Sequence, residues 1–241
     1  MWPPRHQTQL EVTVNIAYKG CAVVCPQDKL SKTYNLYPKN ELIRNLSFNN
    51  FKKMIDKVPL TTRIDFSGYT EPFLNKDCGR MIKYAHDKGH TVSVYTTLVG
   101  ANVSDVDLLI DICKHPTRPF SDHDQENPLA IHLPDEGGVM PVKITPKYKK
   151  ILKYLIHQAQ KNNLGLGTNI RFMTMDKNGY LSKEILDVFP LNKIPFEFKA
   201  ISRASNLNDT EVMKQAPSMT NYEGGVGYKS GNIICKSDSL T

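Results

Sequence analysis

The chain has 241 residues, 40% of them hydrophobic and 23% charged, a balance that supplies a sizeable globular core. No apolar run approaches the ~18 residues of a membrane span, and residues 1–7 lack the apolar stretch of a secretion signal, so no membrane partner is expected. The formal charge of +7, from 31 basic and 24 acidic residues, is scattered and comes with no nucleic-acid-binding motif, so no nucleic-acid partner is expected either.

In chain order, residues 10–17 alternate, with Val12, Val14 and Ile16 on one face and Glu11, Thr13 and Asn15 on the other, which predicts a first strand. A loop with two cysteines follows, Gly20-Cys21-Ala22-Val23-Val24-Cys25-Pro26-Gln27-Asp28, at the C-terminal end of that strand. Phe51, Met54, Ile55 and Val58 fall at helical spacing behind the capping candidates Asn49 and Asn50. Residues 61–67 read as a second strand. A helix is predicted from Asn75, with Cys78, Met81, Ile82 and Ala85 inward and Gly89 as its stop. Residues 91–97, rich in β-branched side chains, predict a third strand.

Ser104-Asp105-Val106-Asp107 gives a helix N-cap with an acidic first turn, followed by the apolar stripe Leu108, Leu109, Ile112 and Cys113. On these two stripes Cys78 and Cys113 read as core residues. His115 and His123 lie in a Pro/His/Asp-rich loop, and their spacing matches no ordinary metal site. Residues 129–133 predict a fourth strand. Thr145-Pro146 opens a helix with Ile151, Leu152, Leu155, Ile156 and Ala159 inward, and its lysines (Lys147, Lys149, Lys150, Lys153) form a solvated face. A fifth strand within residues 167–175, a short helix over 182–189 and a sixth strand over 195–201 complete the series, ahead of a polar tail. Strands alternating with helices argue for α/β architecture built of parallel βαβ units. Right-handed crossovers would curl such a series into a closed or partly open barrel with helices outside, and its chemistry would sit at the C-terminal strand ends. Five cysteines, an odd number at irregular spacing, suggest a reducing, cytoplasmic setting rather than a disulfide framework.

The second strand runs into Ser67-Gly68-Tyr69-Thr70-Glu71-Pro72-Phe73-Leu74-Asn75, which resembles the Gly-Gly-Glu-Pro element of radical S-adenosylmethionine (radical SAM) enzymes. The cysteine loop after the first strand is similar to that family's Cys-x3-Cys-x2-Cys motif. Val94-Tyr95-Thr96-Thr97-Leu98 and Ser202-Arg203-Ala204-Ser205-Asn206 resemble the subgroup whose barrel carries a C-terminal, cysteine-rich SPASM-type extension. The resemblance implies a partial (β/α)6 TIM-like barrel of parallel strands with outer helices over residues 10–206. Residues 1–9 would be an N-terminal tail and 207–241 a remnant of the extension.

It further implies a 4Fe–4S cluster that cleaves SAM to a 5′-deoxyadenosyl radical, which abstracts hydrogen from a substrate. Cys21 and Cys25 would be metal ligands, and Gly68, Thr70 and Glu71 would meet the methionine moiety. Thr96 and Thr97 are further candidates for SAM contact. His132 and Asp135 would face the ribose or the substrate, or else serve as a structural histidine and a loop-capping aspartate. The partners implied are SAM, a substrate that these residues do not identify, and an electron-donor protein; no catalytic side chain is singled out.

Two departures stand against that pattern. Pro26-Gln27-Asp28 follows Cys25 directly, so the third cysteine is missing; alternatively Cys25 matches the third cysteine and the spacing before it is collapsed. Cys78 or Cys113 could replace the missing ligand only by leaving a helix face. Gly231-Asn232-Ile233-Ile234-Cys235-Lys236 resembles the start of an auxiliary-cluster region, after which the sequence ends at Thr241. The alternative is therefore a degenerate or shortened barrel without a cluster, acting as a non-catalytic binding or scaffold protein.

Overall fold

The chain is described here from a computed structural model, over residues 8–16, 44–67, 70–117, 128–138, 140, 142–165, 169–174, 180–189 and 197–198. Apolar and β-branched runs form β1 (Gln9–Val12), β2 (Arg63–Phe66), β3 (Val92–Thr96), β4 (Leu129–His132), β5 (Ile170–Thr174) and β6 (Glu197–Phe198). Between them lie α1 (Phe48–Ile55), α2 (Cys78–Asp87), α3 (Val103–Lys114) and α4 (Pro146–Lys161). Short 3-10 turns occupy Pro72–Leu74 and Lys183–Ile185. The six strands make one all-parallel sheet in chain order, β1-β2-β3-β4-β5-β6, as expected of successive βαβ units.

Register gives the sheet two chemically different faces, because paired residues on adjacent strands share a side. One face carries the row Val12, Phe66, Val94, Leu129, Ile170 and, beyond it, Thr96, Ile131, Phe172. Helices and the segment after β5 cover this face: the Phe51 ring of α1 lies 5.6 Å from Phe66, and Phe189, beyond the 3-10 turn, lies 5.0 Å from Phe172. The opposite face is polar, with rows Gln9–Arg63, Glu11–Asp65–Ser93, Tyr95–Ala130–Arg171 and His132–Met173. Most of it is nevertheless buried. Arg63 and Asp65 form a buried two-point ion pair there (Nε to Oδ1 2.6 Å, Nη2 to Oδ2 2.7 Å), and Gln9 donates to the same carboxylate. Burial raises the Asp65 pKa, and the hydrogen bond and charge of Arg63 oppose it.

Several element ends differ from the sequence expectation, each for a local polar reason. β1 stops at Val12, since the Val14 carbonyl turns to the Leu46 amide (2.9 Å) and the Ile16 amide to the Arg44 carbonyl (3.0 Å). The α1 cap is Ser47, whose hydroxyl accepts from Asn50 N; Asn49 and Asn50 lie inside the helix. The α3 cap is Asn102 rather than Ser104, in a reciprocal capping box with Asp105 (3.2 and 2.9 Å). Asn75 does not start a helix; α2 begins at Cys78 after the 3-10 turn that Pro72 opens. Residues 182–189 hold only the 3-10 turn Lys183–Ile185. Thr145 and Pro146 open α4 as expected, and Gly89, at φ +95°, closes α2. Among the described residues no helix is long and apolar enough to cross a membrane.

Candidate functional site

At the C-terminal end of β2 the chain turns through Thr70 and Glu71 onto Pro72, and the site is built around the Glu71 carboxylate. Only 4% of this residue is exposed, and its oxygens are met by four donors. Oε1 accepts from Thr96 Oγ1 (2.6 Å) and Phe73 N (3.2 Å), and Oε2 accepts from Thr97 N and Thr97 Oγ1 (both 2.6 Å). None of the four is a cation. Burial therefore dominates and raises the carboxyl's pKa, with the threonine hydrogen bonds pulling the other way.

Thr96 and Thr97 reach the carboxylate because β3 ends in a tight turn. Leu98, 2% exposed, sits at φ +65°, a left-handed conformation costing a branched residue roughly 1 kcal/mol. Its amide donates to Thr96 Oγ1 (2.8 Å). Two residues on, Gly100 (φ +90°) packs against the Phe73 carbonyl so closely that a Cβ would lie 2.5 Å from that oxygen. Only glycine fits there. The ends of β2 and β3 are thus fastened to each other twice, through the carboxylate and through Gly100.

A second set of bonds fastens the end of β1 to the same loop. Thr70 Oγ1 donates to the Asn15 carbonyl (2.6 Å), and Asn15 Nδ2 donates to the Glu71 carbonyl (2.6 Å). Asn75 Nδ2 donates to the carbonyls of Val14 (2.7 Å) and Leu46 (2.9 Å), and Asn75 Oδ1 accepts from Asp77 N (3.0 Å). Thr70 and Glu71, after the second strand, and Thr96 and Thr97, at the end of the third, are therefore brought together. Each side chain is engaged with protein groups. Gly68, Cys21 and Cys25 lie outside the described residues, as do His123 and Cys235.

His132, buried at the end of β4, lies beside Met173 in register. Asp135 caps its own loop, its Oδ2 accepting from Met140 N (2.6 Å). His115 is the exposed C-cap of α3, and its carbonyl meets a ring nitrogen of His86 (2.7 Å). Tyr148, in the first turn of α4, is a site neighbour that sequence reading takes only as part of a lysine-rich helix. Its buried hydroxyl has no hydrogen-bond partner among the described residues, and burial, then the Glu71 charge, push its pKa up. Asn15 and Asn75 were likewise legible only as a polar strand position and a helix start; paired with a Thr-Glu-Pro turn, a buried asparagine on each side is the signal that could have found them.

The cysteines test the fit of an iron–sulfur cluster. Ligation needs thiolates. Cys78, the first residue of α2, is fully buried, and burial, then Glu71 and Asp105, hold its proton on. Cys113 lies at the end of α3 with Sγ 3.9 Å from the Asn169 carbonyl, at the N-terminal end of β5 and so at the opposite end of the sheet from Glu71. Burial lifts its pKa to about 12. Both are buried thiols that would have to give up a proton to bind iron. Among the described residues no three His, Cys, Asp or Glu side chains gather as for a metal ion. No protein-family model, no curated protein and no solved structure matches this chain.

Proposed function

We propose that this chain is a radical-SAM-type partial barrel whose site lies at the C-terminal ends of β1, β2 and β3. The single observation that carries the reading is the convergence of Thr70, Glu71, Thr96 and Thr97 at those ends of a sequentially ordered parallel sheet. A sheet in which every crossover advances by one strand in the same direction keeps its helices on one side, and twist then bends the other side inward. The polar face of Arg63, Asp65, Ser93, Tyr95, His132 and Arg171 would be the lumen of such a barrel.

In this reading Cys21 and Cys25, outside the described residues, would hold a 4Fe–4S cluster, whose chemistry would be one-electron reduction of SAM. The chain's own contribution is shape. With its carboxylate taken by Thr96, Thr97 and Phe73 N, Glu71 acts as a brace, and the methionine moiety would be met by the turn of Thr70 and Glu71. Thr70, Glu71, Thr96 and Thr97 are all buried, and a radical reaction requires of its protein a site that excludes water.

A second reading, a barrel without a cluster that serves as a binding or scaffold protein, is favoured by the burial of Cys78 and Cys113 in the core. Anaerobic reconstitution with iron and sulfide separates the two. About four irons per chain, with a reduced-cluster electron paramagnetic resonance signal that SAM perturbs, is the outcome expected of the enzyme. No stable cluster would sink it and leave the scaffold.

A further inference from the structure

We propose that the seam between α1 and α2 is a docking surface for an acidic segment of another protein. Positive charge that reads as scattered along the sequence gathers there. Apart from the buried Arg63, Asp65 and Glu71, residues 48–88 carry seven lysines and arginines against three aspartates, so the surplus is positive. Each aspartate is already engaged, Asp77 by Arg80 (3.2 Å), Asp87 by Lys83 (2.8 Å) and Asp56 by Lys88. Lys52, Lys53 and Lys57 are exposed and make no ion pair among the described residues.

The helical repeat aligns this charge with aromatic rings. Phe48, Lys52 and Asp56 stand one turn apart on α1 and its C-cap, and Arg80, Tyr84 and Lys88 do the same on α2. The two stripes face each other, with the Phe48 and Tyr84 rings edge to face at 5.8 Å. The Arg80 guanidinium lies 4.2 Å over the Phe48 ring, and Lys52 and Lys88 each lie 5.6 Å from the centre of the Tyr84 ring. The Tyr84 hydroxyl donates to Asp56. Three long cationic side chains are thus held in place before any partner arrives, which removes part of the ordering cost of binding. The lysines of α4 give the contrast within the same chain. Lys147, Lys150 and Lys153 are exposed, and among the described residues they lie over no ring and make no ion pair.

The charge selects an acidic occupant. The aspartates set among the cations select a polypeptide over a phosphate backbone, whose evenly spaced charges would be repelled by them. Just past the C-terminal end of α1, Leu60 is 52% exposed, an apolar contact that a peptide can use and a phosphate backbone cannot. This surface needs no cluster and stands whether or not the chain binds SAM.

The test titrates the full chain into a short fluorescein-labelled peptide, glutamates around a single leucine, and reads anisotropy. Binding that weakens as salt is raised is expected. Lys52→Ala combined with Arg80→Ala should weaken it about tenfold. Lys147→Ala combined with Lys150→Ala removes the same charge from α4 and should leave it unchanged. Tyr84→Leu should weaken binding about threefold with no change of charge, and Tyr84→Phe, which keeps the ring, should not. Far-ultraviolet circular dichroism checks that each variant is folded. Equal losses from the seam and α4 variants would reduce the effect to net charge and overturn the proposal, as would an unaltered chain that does not bind. Tighter binding to single-stranded DNA or to phosphatidylserine vesicles than to the peptide would also overturn it, by assigning the surface to a nucleic acid or a membrane.

Discussion

The Glu71 carboxylate is held by four donors, none of them a cation, where β2 ends. Its place in a Thr-Glu-Pro turn at a strand end is visible in the sequence. The sequence does not disclose that Thr96 and Thr97, 25 and 26 residues on, would occupy both of its oxygens, because that depends on the left-handed turn at Leu98 and on register between β2 and β3. The sign of its titration makes the arrangement testable. From an ordinary 4.5 the folded-state pKa is raised, so the native chain binds the proton more tightly than the unfolded one. The stability this contributes is complete below pH 4.5 and is lost as pH rises through the folded value. Glu71→Gln cannot titrate, so the advantage of wild type over the variant in thermal unfolding should shrink as pH is raised from about 4 to about 7. A difference that stays flat would mean that the folded carboxyl is not shifted. The buried thiols make a parallel case. Cys78 and Cys113 should resist alkylation at about pH 8 until the chain is denatured, and Cys113→Ala should take up as much iron as wild type.

Helix and strand bodies follow from periodicity, whereas their ends are decided by competition among nearby polar side chains, and there the sequence alone is ambiguous. Ser104 and Asn102 are both able caps for α3. The structure uses Asn102 because only from that position does Asp105, three residues later, return a bond to the cap's own amide. Asn102→Ala should therefore cost about 1 kcal/mol in denaturant unfolding, and Ser104→Ala close to nothing. On β2, alternation in Arg63-Ile64-Asp65-Phe66 is plain, but alternation alone does not say whether the charged positions meet solvent. In a parallel sheet both faces are covered, so the pair is buried and must satisfy itself. Arg63→Ala leaves Asp65 in the interior without its cation, and a loss of about 3–5 kcal/mol is expected. The loss should be smaller in acid, where Asp65 takes up a proton and the orphaned charge disappears.

At the scale of the molecule, the order of strands follows the order of sequence, and each strand is held by neighbours that arrive one βαβ unit before and after it. Protection should therefore grade across the sheet. β3 and β4 are bonded on both sides, through contacts such as Val94 N to the Pro128 carbonyl (2.8 Å) and Leu133 N to the Met173 carbonyl (2.8 Å). β1 pairs with β2 alone among the described residues, over four positions. Local opening is governed by how many such bonds and how much buried apolar contact must be broken together. Native-state amide exchange should accordingly find Val94 and Leu133 among the slowest amides, exchanging only on global unfolding. The amides of Gln9–Val12 should exchange faster by orders of magnitude, through fraying that leaves the centre intact. If β1 proved as protected as β3, its outer edge would have to be bonded as well, and the sheet would be closed rather than open along β1. The same experiment thus measures both how the sheet is stabilised and whether it ends where its first strand does.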